Sequence, residues 1–386
     1  MTTKPIQVAF VENVITNYRV DFFERLARYE DFEITVFCSD AKGVPKLKIV
    51  ENVSGFKYVR VPAHGSEKYF VWQKLPFKDL RRNYDIVCYY ANPRYLSTLF
   101  ATTCDYLFGR PCVLRNHYKT AGKDRLSERI RLFWTRRFKN ILVYTRKEVA
   151  TMRKDGFLSH NLEGWGNGLN GDEIKHQIQS HSQESLQQWK SQVGIEDKTV
   201  IVSVGRLIAR NQFEQIPNAI KELNSEFKNL LWCVIGDGSC KDVIRNEAIK
   251  LGVADQVRFL GPIYEESELA RWFLSAVGLV HPGTIGLSMI HAFAYGLPVV
   301  THNSRRMHNP EFDAATNENS FLYPFGKLDL IPESIRSLCQ MTNKKSKGEN
   351  LNAWRTSIRD NVLLEHSTEI MAHRTANFLR NIASSS

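Results

Sequence analysis

The segment Val280–Thr301 reads VHPGTIGLSMIHAFAYGLPVVT: an apolar run, a Pro-Gly-Thr-Ile-Gly loop, and a helical pattern stopped by Gly296. A glycine loop feeding a helix presents backbone N–H groups and the positive end of the helix dipole, which suits an anion such as phosphate. The same composition also suits a tight turn that only needs small residues, and on this segment alone both readings stay open. A second segment, Val204–Asn211 (VGRLIARN), follows another apolar run. Arg206 and Arg210 there are either solvated loop charges or a pair of planar forks able to bind a diphosphate through bidentate hydrogen bonds.

Absent motifs narrow the chemistry. The first strand-like run leads into Val11–Asn17 without a GxGxxG turn, so a dinucleotide site is not expected there. No GxxxxGK[ST] loop, GxSxG elbow or Asp-x-Asp pair occurs. The seven cysteines are odd in number and form no CxxC or Cys/His cluster, which fits reduced thiols and no zinc.

These segments need a scaffold that holds them at one edge. At about 150 residues per domain, 386 residues suggest two or three domains. Strand-like runs are Ile6–Val11, Glu33–Cys38, Tyr58–Val61, Asp85–Tyr90, Pro111–Arg115 and Ile141–Tyr144, with helical patterns such as Val20–Tyr29 and Tyr95–Phe108 between them. The alternation restarts with Val200–Gly205, Leu231–Gly236, Val257–Leu260, Val277–His281 and Pro298–Thr301. Strand, helix, strand in series predicts two α/β, doubly wound, Rossmann-like domains facing a cleft, with ligands at the carboxyl ends of the strands. We assign 1–170 to the first domain, the polar stretch 171–198 to a linker with a surface helix, and 199–350 to the second domain. Residues 351–386 are expected as helices, with packing back on the first domain as one option.

Charge is uneven. Of the net +11, +10 falls between Arg110 and His160, which hold 14 Lys and Arg against 4 Asp and Glu. Leu126, Ile130, Phe133 and Trp134 share one helical face, and Arg125, Arg129 and Arg136 another. One reading is an amphipathic helix docked on the sheet with a solvated basic face. The other is a patch for an anionic membrane surface or acceptor. No nucleic-acid motif accompanies it. No run of about 18 apolar residues and no signal peptide is visible, so a cytoplasmic protein is expected, with peripheral attachment to the inner face of the plasma membrane as one option.

VGRL at Val204–Leu207, IGDG at Ile235–Gly238, VRFLG at Val257–Gly261 and the GLS…GLPVV block from Gly286 resemble the retaining GT-B-fold glycosyltransferases of family 4, over about Thr199–Phe325. Asn17-Tyr18-Arg19, Leu114–Tyr118 (LRNHY) and Asn167–Asn170 resemble that family's N-domain loops. The resemblance implies a nucleotide-sugar donor as substrate, no cofactor, and no metal, in keeping with the missing Asp-x-Asp pair. It places the diphosphate between Arg206 and the amides of Gly286, Leu287 and Ser288. The base then lies near Gly261 and Ile263, and a glycan or lipid-linked acceptor lies on the first domain near Asn17, Tyr18 and Arg19. His117 is the candidate for a polar contact to the reacting sugar, or a packed strand-end histidine. Glu311 is a candidate donor contact, or a capping residue. The family's two glutamates, separated by seven residues, fall on Gly283 and His291, and its lysine on Asn211. His291 retains a ribose contact in principle, and Arg210 is the candidate second cation. A catalytically silent scaffold and a sugar-nucleotide epimerase are the competing functions.

Overall fold

The structure, a computed structural model, describes residues 4–39, 53–66, 69–118, 125–348 and 350–385. The side chains of Asn17 and Arg125, both singled out in the sequence, lie outside what is described. The chain forms two compact units, Met1–Asn170 with His366–Ser386, and Gly171–Glu365.

Among the described residues the first unit is built on seven parallel strands. In chain order they are β1 (Ile6–Glu12), β2 (Phe32–Ser39), β3 (Lys57–Val61), β4 (Ile86–Tyr90), β5 (Cys112–Arg115), β6 (Asn140–Val143) and β7 (Asn161–Gly164). Their spatial order is β3-β2-β1-β4-β5-β6-β7. Along β1, Val8 and Phe10 enter one core with Phe22, Phe23 and Leu26, while Ala9 and Val11 enter another with Tyr89 and Leu114. Burial on both faces explains why β1 reads as a continuous apolar run.

The second unit repeats the plan with β8 (Thr199–Val204), β9 (Leu230–Ile235), β10 (Val257–Gly261), β11 (Gly278–Val280), β12 (Val299–His302) and β13 (Ser320–Tyr323). The order is β10-β9-β8-β11-β12-β13. Both sheets therefore reverse their winding direction once, between β1 and β4 and between β8 and β11. That switch point opens a crevice at the carboxyl ends of the strands.

β7, β13 and a short hairpin of Ala63–Gly65 with Val71–Gln73 escape the sequence reading. β7 and β13 are sheet edges of four residues, and NLEG and SFLY carry little periodic signal. The segment 171–198 is corrected. It forms two helices, Gly171–Ser180 and Gln183–Gln192, that belong to the second unit and lie on its helix Glu266–Ser275. Trp189 meets Trp272 edge-on there at 4.8 Å, so one aromatic anchors an otherwise polar segment.

The last two helices part company. Leu351–Leu363 packs beside Leu287–Ala294 in the second unit. Thr368–Ala383 packs on Asn17–Ala27 in the first. Its Arg380 grips both Asp31 oxygens at 2.6 and 2.9 Å, which holds the Asp31 carboxyl below its usual range.

Candidate functional site

In the second unit the arginine loop leaves β8 and the glycine loop leaves β11, the two strands that flank the switch point. The arginine loop is held from below. Leu207 N–H donates to Asp237 at 2.9 Å, and the Asn211 side-chain amide donates to the Arg206 carbonyl at 2.8 Å. Asn211 is buried, so its amide braces the loop from inside. Gln212 sits in the left-handed region at φ 54°, a costly conformation for a residue with a side chain and one that clusters at functional loops. Phe213 then anchors the loop by packing on the His281 ring at 4.8 Å.

Arg206 and Arg210 are both exposed, and among the described residues no carboxylate forms an ion pair with either. The desolvating surroundings of Arg210, and then the neighbouring Arg206 charge, lower its pKa. Two like charges are thus held close without an acid between them, which leaves a place for an anion.

The glycine loop docks on this one. Gly283 N–H donates to the Asn211 carbonyl at 3.0 Å, and Thr284 N–H to the Arg210 carbonyl at 3.2 Å. A Cβ on Gly283 would lie 2.2 Å from the Arg210 oxygen. The residue is therefore glycine because two backbones meet there. The helix Leu287–Ala294 follows with Gly286 as its N-cap and no side chain capping it. Helical geometry leaves its first N–H groups unpaired, and Gly286, Leu287 and Ser288 are each half-exposed. Gly296 ends it at φ +71°, with its Cα against the Arg355 carbonyl.

His291 lies on this helix, and its Nε2 is 2.8 Å from Glu266 Oε1. The Tyr295 hydroxyl donates to the same oxygen at 2.5 Å. Burial works against the Glu266 anion, yet His291 and Tyr295 outweigh it and its pKa is lowered. A carboxylate is thus brought beside position 291 from the helix after β10. Sequence reasoning missed Glu266, because nothing local in its segment distinguishes it from the acidic first turn of any helix.

Behind the glycine loop stand three buried histidines. His308 Nδ1 accepts from Ile285 N–H at 3.2 Å, and its Nε2 donates to the His302 carbonyl at 2.8 Å, which defines its tautomer. The His302 and His308 rings stack at 3.8 Å. Burial pushes His281 and His302 down to about 4 and His308 to about 3. Glu311 is buried in the short turn Pro310–Ala314, next to Asn309, whose N–H donates to Ile285. Gly261 and Ile263 lie at the end of edge strand β10, where the Gly261 carbonyl accepts from Gly236 at 2.8 Å.

In the first unit a cavity of about 320 Å³ sits at that unit's own switch point. Tyr18, Arg19, Tyr90, Arg115, Tyr144 and Trp165 line it. Arg115 is buried and ion-paired to Glu12; burial disfavours its charge, but Glu12 more than compensates and its pKa is raised. Arg19 reaches the Asn167 side chain and lies 5.1 Å from the Trp165 ring. His117 is not in the lining. Its ring stacks on Tyr144 at 3.9 Å, which is the packed strand-end arrangement.

The basic helix Arg125–Thr135 departs from its expected faces. Ile130 and Phe133 are exposed, while Arg131 is buried and donates to the carbonyls of His117 and Tyr118. The orphan carbonyls after β5 need a donor, and Arg131 supplies it, which turns the helix away from its apolar stripe. Arg129 is exposed. Arg136 lies one residue past the helix and donates to the Asp155 carbonyl at 2.8 Å.

Comparison with known proteins follows the same geometry. Residues 186–350 match the family described as Glycosyl transferases group 1. The structure superposes on Anabaena Alr3699/HepE in complex with UDP with a TM-score of 0.70 at 12% identity, covering 98% of this chain and all of that one. It superposes on a glycosyltransferase from Rickettsia africae with a TM-score of 0.72 at 11% identity, covering 100% of both chains. The fold is the GT-B fold. In sequence, 162 residues are 27% identical to the alpha-monoglucosyldiacylglycerol synthase of Streptococcus pneumoniae, 40% of this chain. The chain spans about a third of that relative's length (35%). The family match contains both GT-B loops described above, Arg206–Asn211 and Pro282–Ser288. Among the described residues no group of three or more His, Cys, Asp or Glu is arranged to hold a metal ion.

Proposed function

We propose that this protein is a retaining glycosyltransferase that moves a sugar from a nucleoside-diphosphate sugar to a hydroxyl of a glycan or lipid-linked acceptor, in the assembly of a polysaccharide or glycolipid. The observation that carries the reading is the acid-free pair Arg206 and Arg210 beside the uncapped helix N-terminus at Gly286–Ser288. The family match, the UDP bound by HepE and the glycolipid product in the pneumococcal relative's name support it.

Cleaving a glycosyl–phosphate bond builds negative charge on the diphosphate. Arg206, Arg210 and the amides of Gly286, Leu287 and Ser288 receive that charge, each donor contributing about 3 kcal/mol to the transition state. The acceptor hydroxyl attacks on the leaving-group face, its proton passing to the departing phosphate. No protein nucleophile is then required, and none of these steps calls on a metal. The base lies against Gly261 and Ile263. Glu266, held by His291, takes the ribose in place of a carboxylate at 291. Glu311 faces the donor. The acceptor occupies the first unit's cavity beside Tyr18 and Arg19. Arg129 and Arg136 contribute to an anionic-membrane contact on the cytoplasmic face.

The test is thermal denaturation with UDP, GDP, ADP, CDP and dTDP. A nucleotide at about 100 times its Kd stabilises the fold by about 2.7 kcal/mol. EDTA leaves the shift in place. No shift with any nucleotide at millimolar concentration overturns the proposal. Binding without nucleotide release when acceptor is added returns the chain to a silent scaffold.

A further inference from the structure

A second cavity in the first unit, of about 690 Å³, lies at the opposite end of its sheet, where β5 and β6 begin. Arg110, Arg137 and Lys139 line it, with Tyr106, Phe138 and Asp105. Asp105 offsets this charge only in part: burial disfavours its anion, while the Arg81 and Arg110 charges favour it. It is buried, its carboxyl accepts from the Tyr89 hydroxyl at 2.8 Å, and its ion pair is with Arg81 at 3.7 Å. Among the described residues no carboxylate forms an ion pair with Arg110, Arg137 or Lys139.

The rim is apolar. Leu107 is 71% exposed, Phe108 68% and Phe133 64%. The lining residue Arg137 lies 3.6 Å over the Phe133 ring, and Leu107 and Phe108 fall in the chain between the lining residues Tyr106 and Gly109, so all three adjoin the hollow. Exposed apolar side chains grouped beside unpaired cations mark an interaction surface. Three cations in a hollow fit a phosphate. An apolar shoulder around them fits the headgroup–acyl boundary of a bilayer rather than water.

We propose that this cavity holds the phosphate of an anionic phospholipid at a bilayer surface, with Leu107, Phe108 and Phe133 resting in the headgroup layer. The inference rests on the membrane contact in the function proposed above and moves its centre. Arg136 donates to the Asp155 backbone carbonyl, stands over Phe157 and is not in the cavity lining, whereas Arg137 and Lys139 line the cavity. No helix among the described residues is long and apolar enough to cross a membrane.

The experiment is co-sedimentation of the full chain with vesicles of phosphatidylglycerol and phosphatidylcholine, and with vesicles of phosphatidylcholine alone. The wild type sediments with the anionic vesicles at low salt and is released as salt rises. Arg137→Glu with Lys139→Glu weakens binding at least about tenfold. Arg137→Gln with Lys139→Gln, a milder surface change, weakens it less. Leu107→Ser with Phe108→Ser weakens it at unchanged charge, which separates a bilayer from free phosphate. All variants keep the wild-type melting temperature and nucleotide-induced shift. Equal vesicle binding by wild type and variants overturns this site and leaves the membrane reading standing. Failure of the wild type on anionic vesicles overturns both, as does stabilisation by inorganic phosphate without vesicle binding.

Discussion

The Cα of Gly283 lies against the carbonyl of Arg210, so close that a Cβ there would stand 2.2 Å from the oxygen. Both partners are backbone, so neither gives way as a flexible side chain would. Gly283 is thus the point where the glycine loop and the arginine loop meet backbone to backbone.

Gly283→Ala should destabilise the protein by about 1–3 kcal/mol through overpacking, and Gly283→Glu by at least as much. Gly283→Glu should also lower kcat/KM rather than raise it, because the arginine loop must shift. Thermal denaturation and steady-state kinetics on both variants check this. A Gly283→Glu protein with wild-type stability and higher activity would show that the two loops move apart freely.

Arg206→Ala should lower kcat/KM about a hundredfold by removing a charge-assisted donor to the leaving group. Arg210→Ala should do the same, and it also relieves a like-charge contact. The nucleotide-free protein should then be as stable as wild type or slightly more so, while its nucleotide Kd rises. Loss of stability without change in Kd would make Arg210 a structural residue.

His281, His302 and His308 stay neutral in the fold, with pKa values near 4, 4 and 3 against an unfolded value of 6.5. Their contribution is complete above pH 6.5. It declines as pH falls towards 4, because the unfolded chain takes up protons the folded one refuses. By pH 5 the loss is roughly 2 kcal/mol per histidine. Urea denaturation at pH 7.5 and pH 5 checks it, and His302→Asn should flatten the dependence. Equal stability at the two pH values would mean that these rings protonate in place.

The buried Glu12–Arg115 pair predicts an asymmetry. Glu12→Ala strands a buried guanidinium and should cost about 3–5 kcal/mol. Glu12→Met with Arg115→Met should cost much less, since neither charge is then left alone. Chemical denaturation of the two proteins decides it. Equal losses would place the value of the pair in shape rather than charge.

The central strands and the two loops at the switch points were legible in the sequence. β1, β2, β8 and β9 are buried on both faces, so apolar runs alone declare them. A parallel sheet then sends every following loop to one edge, which carries Arg206 and Gly286 to the same end of the second unit. The faces of the helix Arg125–Thr135 were not legible. Periodicity put Ile130 and Phe133 inward, but the carbonyls of His117 and Tyr118 needed a donor, and Arg131 took the inward place. Glu266 was invisible for a related reason. It meets His291 across 25 residues of sequence, and only the winding of the sheet brings the two helices side by side. Local sequence specifies what a segment prefers to bury. Which polar group must be satisfied, and by which distant partner, is decided when the chain closes on itself.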